Sequence, residues 1–424
     1  MAKLPKMVRI KQIFARPRVD DASAVAAAEL VKLKLKDRIK PGQTVGITVG
    51  SRGIQNILPI LKTAVEHVRS LGAKPVLLAA MGSHGGGTEA GQMEVLAGLG
   101  ITETNIGARI IPCAVNEVIG HTHEGIPAYI LKSAREVDGI LVINRVKTHT
   151  SFKGKVESGL IKKLVVGLGG PLGAQQFHGF GSAELPRLLV EIGEVLLAKL
   201  PIVGGLAIIE NAYEETALIR AVAPAGMIAE ESELLAYSKS LMPALPADNL
   251  DLLVIEEMGK NYSGTGIDTN IIGRARIQGV PEPEKPFIKR IAVLDLSHES
   301  HGNATGIGLA DFVTKKLVDK MDRHNTYLNC LTSTFVVRAA IPMYFDTEEK
   351  LFEAALYSLS SIPPEKLRMV IIPNTLFLTE CLVSEALIPE LAARPGIELI
   401  GEPEEIWFDG DGNLQPRIGR TAHC

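Results

Sequence analysis

The chain has 424 residues, 46 % apolar and 22 % charged, with a formal net charge of −3. That length exceeds a single ordinary core and predicts two domains, while the balanced charge leaves no basic excess to attract nucleic acid. The N-terminus MAKLPKMVRI lacks the apolar core of a signal peptide, and no apolar run is long enough to span a membrane.

Cysteines Cys113, Cys330, Cys381 and Cys424 are scattered without a C-x-x-C pair. This argues against a zinc ribbon, an iron–sulfur centre or a disulfide framework, and a reduced cytoplasmic setting is expected. An alanine- and leucine-rich helix is predicted from Ser23 to Leu35, closed by Pro41–Gly42. A short buried strand, Thr44–Val49, then leads through Gly50-Ser51-Arg52-Gly53 into a helix ending at Gly72. A second strand, Val76–Met81, leads through Gly82-Ser83-His84-Gly85-Gly86-Gly87 into a helix opened by Thr88. A third, Val137–Asn144, feeds the stretch VKTHTSFKGKVESGLIKKLVVGLGGPLGAQQFHGFG from Val146 to Gly181. Strand, glycine-rich or polar loop, helix, repeated three times, is the pattern of an open parallel α/β sheet. Ligands bind such sheets outside the carboxyl ends of the strands, so Arg52, His84 and His149 are expected to meet.

Beyond a helix from Pro186 to Leu200 the pattern changes. Strands are predicted at Leu206–Glu210, Asp251–Ile255, Ile291–Leu296 and Met369–Ile372, with helices at Leu309–Met321 and, capped by Thr347, from Glu348 to Leu359. The expected architecture is two α/β domains, residues 1–200 and 201–424, with a largely parallel sheet in the first and an active-site cleft between them.

Most chemistry-bearing side chains lie between residues 50 and 180. Arg52 precedes a helix start, where negative charge is favoured, and reads as an anion contact. His84, His149 and His178 have both a catalytic or ligating reading and a plainer one as loop histidines. Lys162 and Lys163 could be a solvated helix face. His121 and His123 read as surface groups, and His298 and His301 as structural. Neither GGGT nor GLGG is a Walker or dinucleotide fingerprint.

Taken together, these residues resemble the nickel-dependent lactate racemase family. Its T-R-P turn is similar to Ser51-Arg52-Gly53, its G-T-H-R-like loop to Gly82-Ser83-His84, and its next histidine to His149. The family's modified lysine and nickel-ligating histidine are sixteen residues apart, as are Lys162 and His178. A downstream family segment resembles Gly259 to Arg276, with Asp268 and Asn270 retained. The resemblance spans most of the chain and is most specific over residues 44–181.

The resemblance implies a racemase or epimerase of a 2-hydroxy acid. Lys162 would carry a nickel-pincer nucleotide, a pyridinium mononucleotide with two thiocarbonyl arms, joined through a thioamide. His178 would ligate nickel, and Arg52, with Ser51 and the backbone of the glycine turns, would hold the phosphate. His84 and His149 would be paired acid/bases, since two enantiomers present their hydroxyls to different sides.

Three features depart from the family. Gly53 replaces its proline, and the approach to the lysine is three residues longer, with Lys163 competing as attachment point. The family's substrate-side glutamine and lysine fall on Gly273 and Arg276. With Asn270 beside it, Arg276 is expected to clamp a carboxylate, which points to a substrate other than lactate, larger or carrying a second acidic group. The alternatives are a phosphate- or nucleotide-binding protein without catalysis, and a hydrolase or lyase with a metal on His84, His149 and His178.

Overall fold

The computed structural model describes residues 4–419, so Cys424 lies outside it. The chain divides into two compact units, Arg16–Met242 and the residues up to Ala15 together with those from Pro243 onward. The division expected at residue 200 therefore falls at 242/243. The reason is that strands Ile202–Glu210 and Thr216–Val222 extend the first sheet, the former parallel to Gly139–Arg145 and antiparallel to the latter.

In the unit Arg16–Met242 six strands lie in the order Arg109–Ile111, Lys74–Ala79, Thr44–Val49, Gly139–Arg145, Ile202–Glu210, Thr216–Val222. All neighbours but the last pair are parallel. The central strands are near-continuous apolar runs because helices cover both faces. Successive residues alternate between two cores: Leu77, Leu141 and Ile143 on one face, Leu78, Ile140 and Val142 on the other. Helices Ala22–Lys32 and Ile57–Ser70 pack on the first face, and Leu160–Lys162 and Leu185–Lys199 on the second.

The other unit holds eight strands in the order Met343–Phe345, Phe312–Thr314, Phe287–Val293, Asn249–Ile255, Met369–Ile372, Glu380–Ser384, Met7–Gln12, Ile397–Glu404. The first five run parallel and the rest pair antiparallel. The helix expected over Leu309–Met321 is shorter. Phe312-Val313-Thr314 is a buried β-favouring run, and the helix begins only at Lys315, where the Thr314 hydroxyl accepts the N–H of Leu317 at 3.1 Å. No helix of the described residues is long and apolar enough to cross a membrane.

Candidate functional site

Arg52, His84 and His149 follow three adjacent parallel strands, so their loops leave one edge of the sheet. Just beyond comes the lysine pair. Leu160, Ile161, Leu164 and Leu168 repeat at helical spacing and are completely buried, which anchors this segment to the sheet. Each such side chain contributes about 1.5–3 kcal/mol of burial. After Lys162 the helix widens into a π-helical turn, Lys163–Leu168, closed by the Gly169 N–H on the Leu164 carbonyl at 3.2 Å. Helix Gly170–Gly179 then carries His178.

Both lysines are drawn out of water. Burial pushes the Lys162 amine down to about 7, helped by the positive charges of Lys147, Arg52 and Lys163 and opposed by Glu157. The Lys162 Nζ lies 5.9 Å from the centroid of the Phe152 ring. Lys163 is 9 % exposed, and burial brings it to about 8. Its Nζ donates to the Ala80 carbonyl at 3.4 Å. That amine also occupies the space a side chain at position 50 would need: a Cβ on Gly50 would meet it at 2.2 Å. The alternative of a solvated lysine face is therefore overturned.

His149 is half-buried, its ring stacked on Phe152 with centroids 4.2 Å apart. Its Nδ1 accepts the Ser151 N–H at 3.1 Å. A backbone N–H can only donate, so the neutral ring carries its proton on Nε2. The His149 N–H donates to Glu157 Oε2 at 2.7 Å, and Lys239 pairs with Glu157 Oε1 at 2.8 Å. Phe152 meets Phe177 edge-on at 6.2 Å, and Phe177 meets His178 at 5.5 Å. Phe152 thus links His149, Lys162 and the His178 helix.

Burial and Lys162 hold His178 down to about 4, and its buried Nδ1 has no hydrogen-bond partner. The ring is therefore neutral at neutral pH, with a lone pair to offer. Arg52 is exposed, yet its guanidinium is partly desolvated and lies beside Arg145, which lowers its pKa. Arg145 itself is ion-paired to Glu210. Ser51 is half-buried at the same turn. The His84 imidazole is exposed, while its loop docks on the lysine segment through the Gly82 N–H to the Gly167 carbonyl at 3.1 Å.

The expected substrate residues belong to the other unit. Asn270 lies in the short helix Thr269–Ile272 and donates through its amide to Asp268 Oδ1 at 2.9 Å. Arg276 donates to the carbonyls of Gly308 at 2.6 Å and Ala310 at 3.1 Å, and pairs with Asp311 at 2.6 Å. These bonds brace a loop of its own unit. His298 and His301 are exposed, at a turn remote in sequence from the lysines. Among the described residues no three His, Cys, Asp or Glu side chains come together to hold a metal, so His84, His149 and His178 do not form a metal triad.

Sequence reasoning missed Phe152, Lys147, Glu157 and Glu231. Lys147 and Glu157 flank His149 within ten residues and were within reach of a local reading. Glu231 gives no local sign, because its partners lie some seventy residues earlier.

The fold has a solved counterpart. It is similar to the lactate racemase apoprotein from Thermoanaerobacterium thermosaccharolyticum, with a TM-score of 0.52 at 11 % identity over 88 % of this chain and 99 % of that one. No protein-family model matches the chain, and no curated protein matches it in sequence. The likeness is therefore one of architecture: a two-unit α/β fold shared with a racemase.

Proposed function

We propose that the chain is an isomerase, a racemase or epimerase of a small 2-hydroxy acid, with a nickel-pincer nucleotide attached at Lys162. The observation that carries this reading is the state of that amine. It is desolvated, faces Lys147 and Arg52, and is poised near 7. An amine so placed costs folding stability, and it offers a neutral nucleophile at working pH, as a covalent attachment requires.

The surrounding residues fit such a group. His178 offers a neutral ring with an unpartnered buried nitrogen as a metal ligand. The described residues assemble no protein-only metal site, so further donors would come from the sulfur arms of the group itself. Arg52 supplies positive charge for its phosphate, with Ser51 at the same turn. When bound, the group would supply a hydride acceptor.

The remaining work falls to the chain. His149 presents Nε2, because the Ser151 N–H occupies Nδ1. His149 and His84 take the hydroxyl proton and return it, one for each face of the substrate carbon. The substrate carboxylate is assigned to the cation cluster around Lys147, because the terminal nitrogens of Arg276 are already engaged.

The same cations favour a second reading, a phosphate- or nucleotide-binding protein without catalysis. Peptide mass spectrometry of protein produced together with the cofactor-building enzymes separates the two. A covalent increment on the peptide containing Lys162, absent in Lys162→Ala, with interconversion of 2-hydroxy acid enantiomers, is expected. An unmodified lysine with retained phosphate binding would establish the second reading instead.

A further inference from the structure

One helix outside the site supports two of its working side chains. Helix Met227–Ser240 lies against the lysine segment and buries Met227, Glu231, Leu234, Leu235 and Ser238. Glu231 is a carboxyl group with 0 % exposure. Its Oε2 accepts the Ile161 N–H at 2.8 Å, and the same carboxyl faces the Leu160 N–H. These are orphan donors of the first turn that carries Lys162. The local cap position is Gly159, which has no side chain to satisfy them, so the acceptor comes from a helix far along the chain.

The fit is close. A Cβ on Gly159 would lie 2.3 Å from Glu231 Oε1, so only glycine lets the carboxyl reach those N–H groups. Oε1 is buried with no hydrogen-bond partner. A buried oxygen left in that state is unfavourable, and a leucine there would carry no such penalty. The carboxyl is therefore explained by the backbone it holds.

About two turns further along the same helix, Lys239 pairs with Glu157 Oε1 at 2.8 Å. Glu157 is also fully buried, and its Oε2 accepts the His149 N–H at 2.7 Å. Glu231 thus fixes the backbone beside Lys162, while Lys239 holds His149 through Glu157.

We propose that helix Met227–Ser240 is the positioning element of the site, with Glu231 setting the aim of Lys162 and Lys239 setting His149 through Glu157. The meaning of this brace for catalysis rests on the function proposed above. The brace itself is measured without cofactor or substrate, so either can fail alone.

The test uses the full-length chain and two chemical probes read by peptide mass spectrometry: acetic anhydride for the pH dependence of Lys162 acylation, and diethyl pyrocarbonate for His149. Glu231→Ala removes the acceptor, and Gly159→Ala displaces the carboxyl from the other side. Both are expected to raise the apparent pKa of Lys162 by about one unit or more, and to speed amide exchange in the peptide containing Ile161 by tenfold or more. Glu231→Gln keeps a carbonyl acceptor and is expected to restore both readouts to near wild type. Lys239→Met is expected to change His149 modification severalfold and to shift Lys162 by much less than the alanine variants do, through the charge of Glu157 alone.

Gly159→Ala carries the first arm should Glu231→Ala fail to fold. A wild-type Lys162 titration in either alanine variant would overturn the proposal. So would Glu231→Gln behaving like Glu231→Ala, or Lys239→Met shifting Lys162 and leaving His149 unchanged.

Discussion

Phe152 lies against His149 with ring centroids 4.2 Å apart and planes 25° from parallel, and the amine of Lys162 sits over the same phenyl ring at 5.9 Å. One apolar plate therefore orients a proton-transfer group and keeps water from an amine. Removing the ring by Phe152→Ala is expected to destabilise the protein by about 3–5 kcal/mol, whereas Phe152→Leu keeps most of the volume and costs about 1 kcal/mol. Denaturant unfolding measures both. The alanine variant should also let water reach Lys162 and move its titration from about 7 towards the ordinary 10.5.

The lowered pKa of Lys162 makes a prediction about stability. In the unfolded chain the amine binds its proton up to about 10.5, and in the folded chain only up to about 7. Between those values the unfolded state holds the extra proton, so stability rises with pH across this window and is lowest below it. Lys162→Met should therefore be more stable than wild type at pH 7 and below. After allowance for the amine's residual contact with solvent, the gain is roughly 1–3 kcal/mol, and it should vanish near pH 10. A wild type as stable as the variant at pH 7 would remove the physical basis for treating this amine as strained.

The parts of the fold legible in the sequence were those whose cause is local. Thr44–Val49 and Met369–Ile372 lie where their apolar runs place them, because a strand covered on both faces needs no other signal. Thr347 caps its helix, accepting the Lys350 N–H at 3.2 Å. What escaped depends on distant partners. Strand Met7–Gln12 is MVRIKQ, which shows little alternation, and it exists as a strand because residues 380–384 and 397–404 pair on either side of it. The burial of the lysine pair was not legible, since two adjacent lysines look solvated until the helix around them is packed. Arg52, His84 and His149 were readable as candidates because loops after parallel strands share one end of a sheet, and Lys162 and His178 because of the sixteen-residue interval between them. Glu231 was not, since a glutamate in helix Met227–Ser240 looks like any surface glutamate until its burial is known.

His178 should be silent to pH over the range where histidines ordinarily titrate. Burial and the neighbouring Lys162 hold it at about 4, so its ring proton resonances should stay fixed between pH 8 and 5 and move only below. In Lys162→Met the loss of the neighbouring charge should raise the midpoint, with burial still keeping it below the usual 6.5. A midpoint near 6.5 in the wild-type spectrum would show an open, solvated ring and count against its use as a metal ligand.

Arg276 offers a clear choice between two roles. Its bonds to Gly308, Ala310 and Asp311 hold a loop, and its backbone sits at φ +46°, in the left-handed region. Arg276→Ala is expected to lower stability by about 1–3 kcal/mol through the loss of charge-assisted hydrogen bonds. With the substrate carboxylate held elsewhere, KM should change less than threefold. A KM raised tenfold or more with unchanged stability would return the arginine to the substrate.

Glu231 should leave its own mark on the pH profile of folding. Burial raises its carboxyl from 4.5 to about 7, against the lowering effect of the Ile161 and Leu160 N–H groups. Between those values the folded chain holds a proton that the unfolded chain has released. The associated stability is therefore full below about pH 4.5 and is lost as pH rises through about 7. Glu231→Gln has no proton to lose, so its unfolding free energy should lack this downward slope. Above pH 8 the variant should exceed the wild type by roughly 2–3 kcal/mol relative to their difference at pH 4.5. Chemical denaturation at four or five pH values measures the two curves. Parallel curves would mean that this carboxyl is solvated in the native protein, and the close contact with Gly159 that excludes water from it would have to be given up.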